Sequence, residues 1–514
     1  MGKTLIESYR NIKNEFKLAF FSTLAIFLLT HFYKLVNFLP NHDTLYNMHS
    51  TQNGTASGRW FLSVACFPSS LFDLPWINGL LSAVYLALVS VVIVKLFRVE
   101  NPVVIMIIGG ILTALPPTTE TMFFSFTADG FLLGLLLVSV GSYLLCTRND
   151  IWSVVVATVL ICLSCGIYQA YVSFGLVMSL CYCCYLILKN EISTVNVCKR
   201  ALLHVGSYGV AMALYYGLWK LILHFTSAEA TGYQGINTVT EVSLSKLVGG
   251  AVTSVKNIYF FFFEWNILEH SITLYGLLNL LFLVSFAGLA VNCIVKCRVY
   301  KSPVRLLVFV AALALCVPVV SVWSFFSAEL GYRPMMLHSL CFLFIFAAVL
   351  ADGWLKPRLS TVFGVLLAAI IAVSAVNVNI AYFYLNKEYE KSYGRGLMLM
   401  SDIRDELAGA SGEVTKIAFI GNRSGEVDLG DTYPSQTIHL LAQMIEEDLL
   451  YDHVHTHLFL SEIFGLELQP AEELDRLAFE RAERENGTLE IWPEIGSMTV
   501  VDDTLVIKIG EIEE

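Results

Sequence analysis

Long apolar stretches dominate this sequence, and they constrain the fold more than any other feature. About eleven segments are apolar and long enough to cross a lipid bilayer, a crossing that needs roughly 20 residues. Soluble globular domains do not carry such runs, so the chain is predicted to be a polytopic membrane protein. The segments lie near residues 17–37, 76–97, 102–117, 128–146, 151–168, 170–188, 201–223, 271–295, 304–324, 335–353 and 360–383.

Lys and Arg residues fall almost entirely on one side of these segments. Up to Leu385, the loops assigned to the cytoplasm hold thirteen Lys and Arg residues, against four in the loops assigned to the outside. Positive charge accumulates on the cytoplasmic side of membrane proteins, so the count orients every helix and places the N-terminus inside. An odd number of spans then leaves the C-terminal part outside the membrane.

One aromatic-rich segment is assigned a different role. Residues 247–266, within a longer segment of about 224–270, are apolar enough to be counted as a twelfth span. If this segment crossed the membrane, the basic loop from Lys296 to Arg305 would face outward, against the charge rule. An interfacial or re-entrant segment is therefore predicted here.

The composition changes after Leu385. From Asn386 onward the chain holds 28 Asp and Glu residues against 10 Lys and Arg residues, so the acidity belongs to this part. Strand patterns at 414–420 and 504–509 and a helix pattern at 470–486 predict a small α/β domain. The expected fold is an all-α polytopic membrane domain of about 11 transmembrane helices, residues 1–385, followed by a small acidic extracytoplasmic α/β domain, residues 386–514.

The first external loop, about residues 38–75, carries the residue that we regard as catalytic. Asp43 follows directly after the first span, with the substrate-binding candidate His42 before it. Ionisable groups near the membrane are costly enough to indicate function, and a carboxylate at this face can act as a general base on a sugar hydroxyl. An aspartate that only starts a turn is the alternative interpretation.

Further polar residues gather at the same predicted face. Arg59, beside Trp60, and Arg333 carry guanidinium groups that can bind a phosphate in a bidentate manner, with headgroup contact as the alternative. Glu120 and Asp129 can orient hydroxyl groups or help to hold a divalent cation, with helix capping as the alternative. The remaining substrate-binding candidates are Tyr168, Gln169, Glu329 and Tyr332.

These features together resemble the GT-C superfamily of membrane glycosyltransferases, and most of all the Gtr-type bacterial glucosyltransferases that modify O-antigen and related surface polysaccharides. The resemblance spans most of the chain and implies a polyprenyl-phosphate sugar donor, an outward active site and inversion at the anomeric carbon. It rests on Asn41-His42-Asp43, Ser57-Gly58-Arg59-Trp60, Tyr168-Gln169-Ala170-Tyr171, Arg333-Pro334, Trp492-Pro493 and Val506-Ile507-Lys508.

The expected function is transfer of a sugar, glucose first, from polyprenyl phosphate to a cell-surface polysaccharide or a lipid-linked glycan at a bacterial plasma (inner) membrane. Asp43 would activate the acceptor hydroxyl, and Arg59 with Arg333 would stabilise the departing phosphate. Such a donor carries its own leaving group, so no cofactor is predicted, although a divalent metal is compatible with the carboxylates. The expected partners are the donor, the glycan acceptor and the lipid bilayer, without nucleic acid.

Two other classes of function stay open at this point. A transporter or flippase of lipid-linked saccharide would use polar residues near the bilayer midplane, often between internal repeats. Charges in the middle of the helices are nearly absent here, which argues against that class. A noncatalytic partner of a polysaccharide assembly complex would use the acidic C-terminal domain for docking.

The topology can be tested by cysteine labelling after the native cysteines have been replaced. A single cysteine at Ser424, in the predicted extracytoplasmic domain, is expected to react with a membrane-impermeant maleimide added to intact spheroplasts. A cysteine at Ser302, in a predicted cytoplasmic loop, is the matched control and is expected to react only after permeabilisation. The reverse pattern would place the C-terminal domain inside and contradict an odd number of spans.

Overall fold

The computed structural model describes residues 10–69, 72–231, 244–264, 273–325, 332–410, 412–422 and 449–512. The predicted site residue Glu329 and the labelling position Ser424 lie outside these ranges. The described residues form two compact units. The first unit comprises those up to Phe38 and those from His49 to Asn379, and the second comprises Leu39–Met48 and those from Ile380 onward.

Helices account for most of the described chain, as the apolar pattern predicts. In chain order they are α1 (Asn14–Val36), α2 (His42–Asn47), α3 (Leu62–Ala65), α4 (Pro75–Phe97), α5 (Pro102–Ala114), α6 (Pro116–Phe123), α7 (Ser125–Thr147), α8 (Ile151–Ile167), α9 (Tyr171–Lys189), α10 (Thr194–Thr226), α11 (Leu244–Phe263), α12 (Leu274–Lys296), α13 (Pro303–Val319), α14 (Cys341–Trp354), α15 (Pro357–Gly409), α16 (His453–Phe464) and α17 (Glu473–Asn486).

The first unit is a bundle of apolar helices. Among the described residues, seven helices are long and apolar enough to cross a membrane, and α5 with α6 forms an eighth candidate that is bent by 42°. Three shorter apolar helices, α8, α13 and the segment His338–Trp354, accompany them. The prediction of a mostly helical membrane protein is confirmed, whereas the number of spans stays a prediction.

Local sequence signals set the ends of these helices. Pro75 and Pro102 occupy the first helical positions of α4 and α5, where the missing N–H group would have no helical partner. Asp150 caps α8 by accepting a hydrogen bond from the Ser153 backbone N–H, at 2.9 Å. Arg98 ends α4 in the left-handed region, with φ of 53°. The helix boundaries therefore follow from residues at the termini of the apolar segments.

The helix α11 presents an apolar stripe that the protein leaves uncovered. Val248, Val252, Val255 and Tyr259 are all exposed along one face of this helix. Asn257, on another face, is buried and its Nδ2 donates to the Ser321 hydroxyl at 3.0 Å. An exposed apolar face opposite a packed one suits a helix in contact with lipid, and its interfacial position stays a prediction.

The second unit contains a small mixed sheet with two of the helices at the C-terminal end of the chain. Strand β1 (Lys416–Ile420) lies between β2 (Gln469–Pro470) and β4 (Thr504–Lys508) and is parallel to both, while β3 (Met498–Val501) pairs with β4 in antiparallel orientation. The predicted strands at 414–420 and 504–509 and the helix at 470–486 are present. The core of this unit includes Phe419, Phe459, Leu460, Leu505 and Ile507.

Candidate functional site

The loop predicted to be the first external one is hydrogen-bonded to the helices of the first unit at a turn between Gly54 and Arg59. The side-chain amide of Gln169 donates to the Ser57 carbonyl at 3.0 Å and to the Tyr215 hydroxyl at 2.7 Å. Gly58 follows with φ of +81°, and a Cβ atom there would lie 2.4 Å from the Tyr215 hydroxyl. Glycine is therefore needed at this position for both its backbone conformation and its size.

Two tryptophans strengthen the same contact. The Trp60 ring packs so closely on Gly166, at the end of α8, that a Cβ there would lie 2.8 Å from two of its ring atoms. The Phe61 N–H donates to the Gly166 carbonyl at 2.8 Å, and the Trp219 indole N–H donates to the Thr55 carbonyl at 2.7 Å. The loop that carries Arg59 is therefore fixed on α8 and α10 from both sides of that residue.

Arg59 lies over an aromatic surface. Its guanidinium carbon is 5.3 Å from the ring centroid of Tyr168 and 5.8 Å from that of Phe131, which is cation–π geometry. Its Nε–H is buried and has no hydrogen-bond partner among the described residues. Buried hydrogen-bond donors are nearly always paired. A positively charged group that is held in place and has an unpaired donor is therefore suited to binding an anion.

An aromatic series leads from Tyr168 to the segment that carries Arg333. The ring centroids of Tyr168 and Tyr171 are 5.3 Å apart, and those of Tyr171 and His338 are 5.5 Å apart. The Nδ1 atom of His338 is 3.0 Å from the Met335 carbonyl oxygen. The structure thus brings the Tyr168-Gln169 motif and the Arg333-Pro334 motif, distant in sequence, into one connected region.

Glu120 is the buried carboxylate of this region. It is only 2% exposed and accepts a hydrogen bond from the Met335 backbone N–H through Oε2, while Oε1 has no partner among the described residues. The positive charge of Arg333 attracts the negative charge of this carboxylate. The two prolines that begin α6 bend the chain here, and the Thr118 hydroxyl donates to the Leu112 carbonyl at 2.6 Å, satisfying a group that the bend would leave unpaired.

A narrow polar cleft lies in the same region, and Trp323 and Arg333 are among its lining residues. The Trp323 indole N–H donates to the Gln169 carbonyl at 2.9 Å. Tyr332, a further candidate, packs edge-on against Phe260 with a centroid distance of 5.4 Å. The cleft is lined by Ser173, Asn257, Ser321, Trp323, Ser324, Arg333, Met336 and Leu337. Its aromatic, hydroxyl and amide groups are those by which proteins bind sugars.

Asp129 belongs to a second polar cluster, whose other members Asp73 and Lys34 are not among the candidates predicted from the sequence. It is fully buried, and the negative charge of Asp73 repels the negative charge of its carboxylate. Asp73 accepts a hydrogen bond from the Ser125 hydroxyl at 2.9 Å. Burial raises the pKa of the Asp73 carboxyl, and the charge of Lys34 and the Ser125 hydrogen bond act in the opposite direction. Lys34 lies within the predicted first span, and a lysine at that position is the signal by which the cluster could have been found.

Asp43 and His42 belong to the second unit. The six-residue helix α2 begins at a capping box in which the Asn41 side chain accepts from the Thr44 N–H at 2.9 Å and the Thr44 hydroxyl accepts from the Asn41 N–H at 3.1 Å. The Asp43 side chain is 49% exposed, and its Oδ1 lies 3.7 Å from Nε2 of His42. The predicted base is thus accessible and lies on a short, capped helix.

Potential metal ligands are dispersed in the described part of the chain. No group of three or more His, Cys, Asp or Glu residues in that part is arranged to hold a metal ion. The twelve cysteines are free thiols, and all except Cys198 and Cys297 are buried. That the reaction needs no metal stays a prediction.

The anchoring of the first external loop can be tested by replacing Gln169 with Leu. This change removes the donor to the Ser57 carbonyl and the Tyr215 hydroxyl, and each lost hydrogen bond at a buried site typically costs ~1–3 kcal/mol. We expect a lower midpoint of thermal unfolding and faster proteolysis within residues 49–61. Tyr215→Phe removes only one of the two bonds and should show a smaller effect. Wild-type stability and protease resistance in Gln169→Leu would contradict this anchoring.

Comparison with known proteins gives one match. The family model described as Glucosyl transferase GtrII matches residues 32–349 of the chain, which is more than half of its length. This range begins in α1, ends in α14, and contains every candidate residue from His42 to Arg333. No curated protein and no solved structure matches the chain.

Proposed function

This chain belongs to the GtrII family of glucosyl transferases, and we propose that it transfers glucose from polyprenyl phosphate to a glycan at the outer face of a bacterial plasma membrane. Family membership together with the apolar helices makes it a membrane glycosyltransferase. The observation that carries the proposed donor is the position of Arg59, a half-buried cation in a unit made of apolar helices, whose buried Nε–H has no partner among the described residues.

A donor that dissolves in the bilayer suits this setting. Glucose attached to polyprenyl phosphate would enter between apolar helices, with its phosphate near the membrane surface. Arg59 on its aromatic support and Arg333 at the polar cleft provide two guanidinium groups within the first unit. Fixed donors in a site of low dielectric stabilise charge that develops on a leaving phosphate, which lowers the barrier to transfer.

The sugar would lie against the narrow polar cleft, with individual hydroxyl groups in contact with its lining residues. Trp323 offers an indole ring, and Asn257, Ser321 and Ser324 offer amide and hydroxyl groups. The free Oε1 atom of Glu120 can accept a hydrogen bond from a sugar hydroxyl. In this assignment Gln169 positions the first external loop, since its amide donates to Ser57 and Tyr215.

The reaction proposed is a single displacement at the anomeric carbon. Asp43 accepts the proton of the acceptor hydroxyl, and the oxygen of that hydroxyl attacks C1 of glucose. The bond between C1 and the phosphate oxygen breaks, and its electron pair leaves with the phosphate, whose charge is the one assigned to the arginines. The half-exposed carboxylate of Asp43 is accessible to a glycan arriving from the aqueous side. General-base catalysis of this kind contributes typically ~10²–10⁴ in rate.

The proposed reaction is tested with the purified full-length protein and a panel of polyprenyl-phosphate sugars. Release of polyprenyl phosphate in the presence of a glycan acceptor is measured for each donor. We expect release from the glucose donor, dependent on the acceptor. No transfer from any donor in the panel would contradict the proposal and favour a transporter or a noncatalytic assembly partner.

The role of Arg59 is tested by the substitution Arg59→Lys. Lysine keeps the positive charge but cannot form a planar, bidentate contact, so we expect the rate of polyprenyl phosphate release to fall roughly 10- to 100-fold. Arg98→Lys is the matched control, because Arg98 is 71% exposed at the other end of α4 from the predicted external face. Equal activity and equal thermal stability of Arg59→Lys and the wild type would remove Arg59 from phosphate binding.

A further inference from the structure

The helix that carries Asp43 is too short to hold its own conformation. Isolated helices below ~12 residues are only marginally stable in water, and α2 has six residues. Its capping box fixes the first turn, but it does not orient the helix. The orientation of the Asp43 carboxylate must therefore come from the residues against which α2 packs.

Those residues belong to the C-terminal part of the chain. Leu45, on α2, is 3% exposed and lies in the core of the second unit with Phe459 and Leu460. Beside this apolar contact, Tyr46 packs edge-on against His455, with a centroid distance of 4.9 Å and an interplanar angle of 87°. The His42 ring centroid is 6.1 Å from that of His455. Residues on both sides of Asp43 thus face one imidazole ring on α16.

His455 is itself held in place. Its Nδ1 lies 2.9 Å from Asp452 Oδ1, and its backbone N–H donates to the same oxygen at 2.7 Å. Asp452 is the N-cap of α16, so one carboxylate both begins the helix and orients the ring. The Tyr451 ring covers His455 at a centroid distance of 4.5 Å. With its side chain only 7% exposed, His455 is a rigid support rather than a mobile surface group.

The electrostatics agree with this geometry. Burial, followed by the negative charges of Asp452 and Asp43, raises the pKa of the Tyr46 hydroxyl. The two carboxylates therefore act on the same tyrosine. Burial alone would raise the pKa of the Asp452 carboxyl, but the hydrogen bonds from the His455 side chain and backbone outweigh it, and the pKa is lowered. The carboxylate therefore stays charged and accepts a hydrogen bond from the imidazole.

We propose that the Asp452–His455 pair of the C-terminal domain positions Asp43 for catalysis, through the contacts of His455 with Tyr46 and His42. This inference rests on the proposed role of Asp43 as the general base. It makes the C-terminal domain a part of the catalytic apparatus, although His455 is a positioning residue and does not touch the reacting atoms. A displacement of a catalytic group by ~1 Å can reduce a rate by about 10²-fold, so a support of this kind is consequential.

The experiment compares variants of the full-length protein for kcat and KM with polyprenyl-phosphate glucose. For His455→Ala and for Tyr46→Ala we expect kcat to fall roughly 10- to 100-fold, with the KM for the donor within about twofold of wild type, because donor binding is assigned to the arginines. Tyr46 is 49% exposed, so its replacement tests the same contact should His455→Ala fail to fold. His455→Phe keeps a ring for Tyr46 and should recover part of the kcat lost in His455→Ala.

The matched control is His457→Ala, two residues along the same helix. The Nε2 atom of His457 is 3.0 Å from the Leu468 carbonyl oxygen, a contact within the C-terminal domain. This variant is expected to keep the wild-type kcat. A loss of kcat in His457→Ala equal to that in His455→Ala would show that the effect is general destabilisation, and would overturn the proposal.

A double substitution separates this inference from the proposed function. If His455 acts through Asp43, the variant Asp43→Asn with His455→Ala should be no slower than Asp43→Asn alone. A further 10-fold loss in the double variant would overturn the positioning role. If Asp43→Asn is impaired while His455→Ala and Tyr46→Ala keep the wild-type kcat, only the inference fails. Wild-type activity of Asp43→Asn would overturn both the proposed base and its support.

Discussion

Polar groups among apolar helices are costly unless they are paired, and the membrane unit depends on how this cost is met. Gln169 donates to the Ser57 carbonyl and to the Tyr215 hydroxyl, and Thr118 donates to a carbonyl at the bend between α5 and α6. These hydrogen bonds fix a loop and a broken helix inside an otherwise regular bundle. Other buried polar atoms in the described part of this unit also lack a hydrogen-bond partner, and Arg59 Nε and Glu120 Oε1 are the two that we assign to the substrate.

Each of the two units contains groups that the proposed reaction needs. The helical unit provides an apolar setting with two arginines, a buried carboxylate and a polar cleft, which suits a lipid-linked sugar phosphate. The second unit provides a half-exposed carboxylate, Asp43, on a capped helix that packs on His455.

The sequence predicts the helical class, the C-terminal strands and several partners within the site. Charge distribution decides which loops share a face, so the Tyr168-Gln169 and Arg333-Pro334 motifs can be assigned to one face from the sequence alone. The family match confirms the resemblance to Gtr-type glucosyltransferases. Lys34 and Asp73 were missed, although a lysine inside a predicted span was a usable signal.

Other contacts could not be predicted, for physical reasons. Trp323 and His338 lie in an apolar part of the chain where side-chain periodicity does not distinguish a cleft from a lipid-facing surface. His455 supports α2 across a long sequence separation, and such pairings depend on tertiary packing rather than on local pattern. The first external loop was predicted as one element, whereas its residues Leu39–Met48 belong to the second compact unit. A short amphipathic helix does not reveal in its sequence which core will bury it.

The stereochemistry of transfer tests the central claim most directly. Asp43 as a general base implies a single displacement, in which the new glycosidic bond has the anomeric configuration opposite to that of the donor. The configuration can be read from the proton NMR coupling at the anomeric position of the product formed from polyprenyl-phosphate glucose of known anomeric form. Inversion is the result this account predicts. Retention would require a double displacement or an attack on the same face as the departing phosphate, and would contradict a single displacement with Asp43 as the base.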